Sequence, residues 1–342
     1  MEKRTELGKL GEFGLIDRIK DKNTAFTNNT VKGIGDDAAV IASKEDSLTL
    51  VSTDMLVEGI HFDLSYTPLK HLGYKSIAVN VSDIAAMNGI PKQVTVSLAL
   101  SNRFSVEAID ALYEGIYAAC ENFKVDLVGG DTTSSSSGLI ISITVIGECS
   151  KEEVVYRNTA KKEEVVCVTG DLGAAYFGLQ LLEREKAAFM EDPDMKPELE
   201  EKNTYLIQKI LKPSARMDII HELREAKVIP TAMIDISDGL ASELTHICRQ
   251  SGVGVIIYDK EIPLSHEAVA QAMEFNISGT TAALNGGEDY ELLFTVPKED
   301  FEKLKNHPDI TAIGITTESK DMLLISESGR QIPIQAQGWV HF

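Results

Sequence analysis

Six short stretches of the chain set aspartates beside small residues: GDD at 35–37, STD at 52–54, GGD at 129–131, TGD at 169–171, DISDG at 235–239 and GGED at 286–289. Asp83, in VSD, is a relative of these. Each stretch adjoins an apolar run, and loops at strand ends are where a rigid sheet presents reactive groups. One Gly-Asp pair is ordinary turn chemistry. A recurring set poses a charge problem. Two unit charges about 4 Å apart repel by roughly 4 kcal/mol at an effective dielectric near 20. Clustered carboxylates therefore need protons or cations. Hard oxygen ligands with no His or Cys partner select Mg2+ or Ca2+ over zinc. Mg2+ is typically held by one or two carboxylates together with substrate phosphates. The chemistry implied is a phosphate-bearing substrate bound through divalent ions.

The usual nucleotide motifs are missing. There is no GxxxxGK[ST] and no GxGxxG opening a helix. The protein-kinase signature set is also absent. An ATP enzyme with this sequence belongs to a different architecture.

The elements that must position these groups come from 342 residues, of which 43% are hydrophobic. At a soft prior of about 150 residues per domain this is two domains. The 53 acidic and 33 basic residues leave a net charge of −20, which repels nucleic acid and anionic membrane. No run approaches the roughly 18 apolar residues of a membrane span. The charged start MEKRTELGKLGEFGLIDRIK has no apolar signal core, so a cytoplasmic location is expected. Cys120, Cys149, Cys167 and Cys248 form no CxxC pair and read as buried thiols of a reducing compartment.

Residues 1–30 read as a helix followed by a polar loop. Strands are expected at 47–54, ending in Asp54, at 92–100, at 125–133, ending in Gly-Gly-Asp, and at 139–149. Helices are expected at 75–87, around Asp83, and at 105–123, with Ser105 as N-cap. A second part begins near Lys151. It holds a strand at 165–171, an acidic helical stretch, an exposed connector at 191–202 and a strand running into a helix at 231–250. A further strand at 253–262 and a turn-then-strand at 286–297 complete it. Neither part shows the regular alternation of one doubly wound parallel sheet, so two α+β halves, 1–150 and 151–342, are expected.

GEFGLI (11–16), GIGDDAAV (33–40), STDMLVEGIHF (52–62), GYKSIAVNVSDIAAMNG (73–89), GGDTT (129–133), DISDGL (235–240) and GGEDYELLF (286–294) occur in this order, and the chain ends in GWVHF. Together they resemble the thiamine-monophosphate kinase family over nearly the whole chain. The resemblance implies the aminoimidazole ribonucleotide synthetase-like fold: an N-terminal α/β domain whose strands form a dimer-spanning barrel, and a C-terminal α+β domain completing the site. It implies a homodimer that uses ATP and Mg2+ to phosphorylate thiamine phosphate to thiamine diphosphate. By motif it places metal ligands at Asp37, Ser52, Thr53, Asp54, Asp83, Asp131, Asp235 and Asp238. Gly130, Asp131, Arg157 and Ser237 become nucleotide contacts, and His61, Glu288 and Trp339 contacts to thiamine phosphate. Asp36 is adjacent, but the family pattern favours Asp37. Asp171 reads as structural; Lys75, basic and near Asp83, reads equally as a site residue or as a salt-bridging one. The acceptor phosphate is already anionic, so no side-chain base is expected. Two alternatives are another ATP enzyme of the same superfamily and a calcium-binding module without turnover. Against the first, no Cys precedes Cys120 and none ends the chain.

Overall fold

The computed structural model describes residues 28–43, 46–192 and 203–336, together with Gly14, Ile16, Asp17 and Lys20. The helix expected before residue 30 and the connector expected at 191–202 lie largely outside the described residues. The first sheet has the order β1 (Thr30–Lys32), β2 (Ala39–Ala42), β3 (Ser47–Val57), β6 (Ile140–Ser150), β4 (Ile90–Leu100), β5 (Asp126–Ser134). All its pairs are antiparallel except β4 with β5.

Period-two alternation divides the two faces of this sheet. Leu48, Leu50, Ser52 and Leu56 of β3 are buried, as are Val94, Val96 and Leu98 of β4 and Ile141, Ile143 and Val145 of β6. Against that face packs α1 (Leu69–Ala86), a helix of small and β-branched residues, with α2 (Val106–Phe123) beside it. The two helices touch through glycines. A Cβ on Gly73 would lie 2.0 Å from the Leu112 carbonyl oxygen, and one on Gly115 1.9 Å from that of Lys70. Ser105 caps α2 as expected, its hydroxyl accepting the Ala108 N–H.

The second sheet has the order β13 (Gln331–Pro333), β12 (Met322–Ile325), β9 (Gly254–Tyr258), β11 (Ile310–Thr317), β7 (Val165–Thr169), β10 (Leu292–Val296), β8 (Ala232–Asp235). Around it lie α3 (Ala174–Glu191), α4 (Thr204–Leu211), α5 (Met217–Glu225), α6 (Leu240–Ser251), α7 (His266–Phe275), α8 (Gly279–Asn285) and α9 (Lys298–Leu304). One apolar cluster runs from Leu50 and Ile84 through Met233 to Phe294, so the halves share a core. No described helix is long and apolar enough to cross a membrane.

Two motifs differ from expectation. STD and GGD are not turns at strand ends but lie inside β3 and β5. Thr and small residues fit an extended ladder, and Gly130 is where β5 runs tight against β4: a Cβ there would sit 1.8 Å from the Val96 carbonyl oxygen. The strand expected over 253–262 stops at Tyr258 and continues as a single 3-10 turn.

Candidate active site

Four segments meet over the end of α1. The turn between β1 and β2 carries Asp36 and Asp37, β3 carries Ser52 and Asp54, α1 carries Asp83, and β8 ends in Asp235. Asp37, Asp83 and Asp235 each offer a carboxylate oxygen, and these atoms all lie within 4.8 Å of one another. Burial and proximity raise their proton affinities. Burial, with Asp235 and Asp36 nearby, pushes Asp37 up to about 8 despite Arg157. Asp54 is pushed up to about 6 by burial and by Asp235 and Glu288. Burial and three neighbouring aspartates hold Asp83 well above the carboxylate range. Asp235 is raised by burial, against a hydrogen bond from Ser82 and the charge of Arg157.

The surrounding contacts fix these groups in place. The Ser52 hydroxyl donates to Asp83. The Asp54 N–H donates to Asn80 Oδ1 at 3.1 Å, and Asn80 is itself held by the Ser76 carbonyl. Arg157 reaches Asp37 at 2.5 Å and Asp36 at 3.4 Å, while Lys32 pairs with Asp36. The DISDG and GGED motifs are joined through their backbones. The Glu288 N–H donates to Ser237 O at 2.7 Å, and the Tyr290 N–H to Ile236 O at 2.9 Å. Gly287 permits this approach, with φ +67° and room for a Cβ blocked 2.5 Å from Ser237 O. Lys75, buried in α1, pairs with Glu288 and donates to Ile210 O at 3.2 Å.

The structure brings together Asp37, Ser52, Asp54, Asp83, Asp235, Arg157 and Glu288. Ser237 and Asp238 lie in the adjoining loop after β8. His61 sits in the turn after β3, its Nδ1 accepting the Val57 N–H at 3.0 Å. The Thr53 side chain points to the opposite face of the sheet, donating to Ile143 O at 2.8 Å, which leaves only its main chain toward the cluster. Gly130 and Asp131 are not brought in. Asp131 lies on the exposed edge strand, in register with Ser97, Ser142 and Met55 on the outer face, about 14 Å from β3 at the usual strand spacing. Trp339 lies outside the described residues.

Residues 35–149 match the model for the AIR synthase related protein N-terminal domain, and 164–326 that for the C-terminal domain. Thiamine-monophosphate kinase of Bacillus subtilis (strain 168) is 35% identical, covering 97% of this chain and 100% of that protein. The enzyme of Aquifex aeolicus (strain VF5) is 37% identical over 98% and 99%. The chain belongs to the thiamine-monophosphate kinase family. The solved structure of AaThiL complexed with AMPPCP and TMP superposes with a TM-score of 0.85 at 36% identity, covering 99% of each chain.

The donor set of this thiamine-monophosphate kinase family member fits a hard divalent ion. The groups are all oxygen, they are crowded beyond what water would tolerate, and Asp37 Oδ2 is buried with no hydrogen-bond partner. Sequence reasoning missed Asn80 and Ser82, whose signal was a run of polar residues inside an otherwise apolar helix. It also missed Glu243, 2% exposed, whose Oε1 accepts the Asp238 N–H at 3.1 Å and holds that loop.

Proposed function

We propose that this acidic site carries out the family's reaction, ATP-dependent phosphorylation of thiamine phosphate to thiamine diphosphate, on Mg2+ held by Asp37, Asp54, Asp83 and Asp235. The convergence of Asp37, Asp83 and Asp235 on one small volume carries the reading. Bound there, the ions would neutralise donor and acceptor phosphates and remove their mutual repulsion.

The chain's own residues position rather than react. A phosphate oxygen of thiamine phosphate attacks the terminal phosphorus of ATP and ADP leaves; the acceptor, with a second pKa near 6, is largely ionised at pH 7 and needs no side-chain base. Arg157 is always cationic and presents a planar fork of donors beside Asp36 and Asp37, suited to a phosphate at that edge. Ser237 is assigned to the nucleotide end with it, and Asp238 in the same loop to the ions. Glu288 is assigned to the cationic thiamine end with His61 and Trp339, where an aromatic face suits a thiazolium. Asn80 and Ser52 keep β3 and α1 in register around the cluster.

The chain is assigned as a cytoplasmic homodimer with domains 1–150 and 151–342. Four free cysteines support the location. The dimer is supported by the outer face of the first sheet, which no described helix covers and where Met55 is 55% exposed. A barrel formed across that face gives Gly130, Asp131 and Thr53 a role in a composite nucleotide site. The test is ADP release with thiamine phosphate, thiamine and an aminoimidazole precursor as separate acceptors. Turnover with thiamine phosphate and Mg2+ is expected. Metal binding without turnover would instead favour a structural cation module, and turnover only with another acceptor a different enzyme of the fold.

A further inference from the structure

A cleft of about 900 Å3 lies apart from the acidic cluster. It opens where the start of β4, the end of α2 and the α4–α5 link meet the ends of the central strands β7, β10 and β11 of the second sheet. The transfer site and this cleft share the segment Glu288–Glu291, with Glu288 turned to Lys75 and Asp289 and Glu291 lining the cleft.

The charges in the cleft sort into two kinds. Arg216 and Lys209 are neutralised: Glu291 accepts from both at 2.7 Å, and Asp218 and Asp309 complete the guanidinium. Lys92, Lys124 and Lys212 line the same cleft and pair with no carboxylate among the described residues; Lys212 lies 4.5 Å over the Tyr74 ring. In a chain of net charge −20, three lysines left unpaired around one cavity stand out. Two further lining residues are short of donors. Asp289 is 2% exposed; one oxygen accepts the Gly173 N–H at 2.9 Å and Oδ1 has no partner. Asp171 Oδ2 accepts from the Tyr205 hydroxyl and lies 3.8 Å from Lys209, while its Oδ1 is buried without a hydrogen-bond partner. Buried polar atoms are ordinarily satisfied, so two orphaned acceptors in one wall call for a donor from outside.

We propose that this cleft is a second ligand site, taking a compound that presents a phosphate-class anion to Lys92, Lys124 and Lys212 and an amino-substituted heterocycle to Asp171 and Asp289. ADP and thiamine diphosphate both have that chemistry. Because lysines rather than carboxylates meet the phosphates, binding here needs no divalent ion. The site stands apart from the transfer reaction, since its occupancy is read without turnover.

The test is titration calorimetry of the full chain in EDTA with ADP, thiamine diphosphate and inorganic pyrophosphate as separate probes. One of the two amino-bearing probes is expected to bind once per chain, about tenfold more tightly than pyrophosphate, and which one it is identifies the source. Lys92→Glu and Lys212→Glu, both at accessible side chains, should each weaken it by about tenfold. Asp289→Asn should remove the preference over pyrophosphate, and Asp83→Asn, in the transfer site, should leave the binding intact. Absence of metal-independent binding by both amino-bearing probes overturns the proposal. So does binding that survives both lysine changes, or equal affinity for pyrophosphate. Loss of turnover with retained binding in EDTA would count against the transfer site alone.

Discussion

Replacing Asp37 by asparagine should stabilise the metal-free protein while abolishing its activity. The Asp37 side chain is 4% exposed and its proton affinity is pushed up to about 8, from an ordinary value of 3.8. At pH 7 the folded state therefore holds a proton that the unfolded chain releases. At 1.36 kcal/mol per pH unit, keeping that proton from 3.8 to pH 7 costs about 4 kcal/mol. The Asp37→Asn variant escapes this cost, and because Asp37 is already neutral at pH 7 the amide oxygen can accept from Arg157 as the protonated carboxyl does. The net gain is about 4 kcal/mol, or about 6 °C in melting temperature for a chain of this length. The sign with pH is definite. A raised carboxylate binds more protons folded than unfolded, so its contribution falls as pH rises from about 4 to about 8 and is flat above. The gap between the variant and the wild-type protein should open over that window. Thermal melts in EDTA at several pH values, with ADP release in Mg2+ measured in parallel, check it. A variant no more stable than wild type at pH 8, a gap that narrows with pH, or normal turnover would refute the reasoning.

Ser52→Ala should depress Mg2+-dependent turnover by about tenfold, because its hydroxyl holds Asp83, whereas Thr53→Val should leave it within about twofold in steady-state assays, because that hydroxyl bonds away from the cluster. Lys75→Met should raise the KM for thiamine phosphate about tenfold with a smaller change in kcat, since Glu288 loses the cation that orients it; an unchanged KM would detach Glu288 from substrate recognition. Gly73→Ala should lower stability by at least about 2 kcal/mol in denaturant titration, because its methyl group would force α1 away from the Leu112 carbonyl.

Much of this molecule is written locally. The apolar alternation of β3, β4 and β6, the amphipathic α2 with its Ser105 cap, and the DISDG and GGED turns follow from neighbours a few residues apart. The preference for hard divalent cations likewise follows from side-chain type alone, since carboxylates without His or Cys leave little choice. Which carboxylates act together does not. Asp37 and Asp235 lie nearly two hundred residues apart, and only the packing of α1 across both sheets places them on one point. Tertiary order also separates what looked alike in the chain. Asp54 faces α1 while its neighbour Thr53 faces outward, because successive residues of a strand alternate. Asp131 repeats the Gly-Asp motif yet sits on the far edge of the sheet, because strand order is set by long-range pairing that no local spacing records.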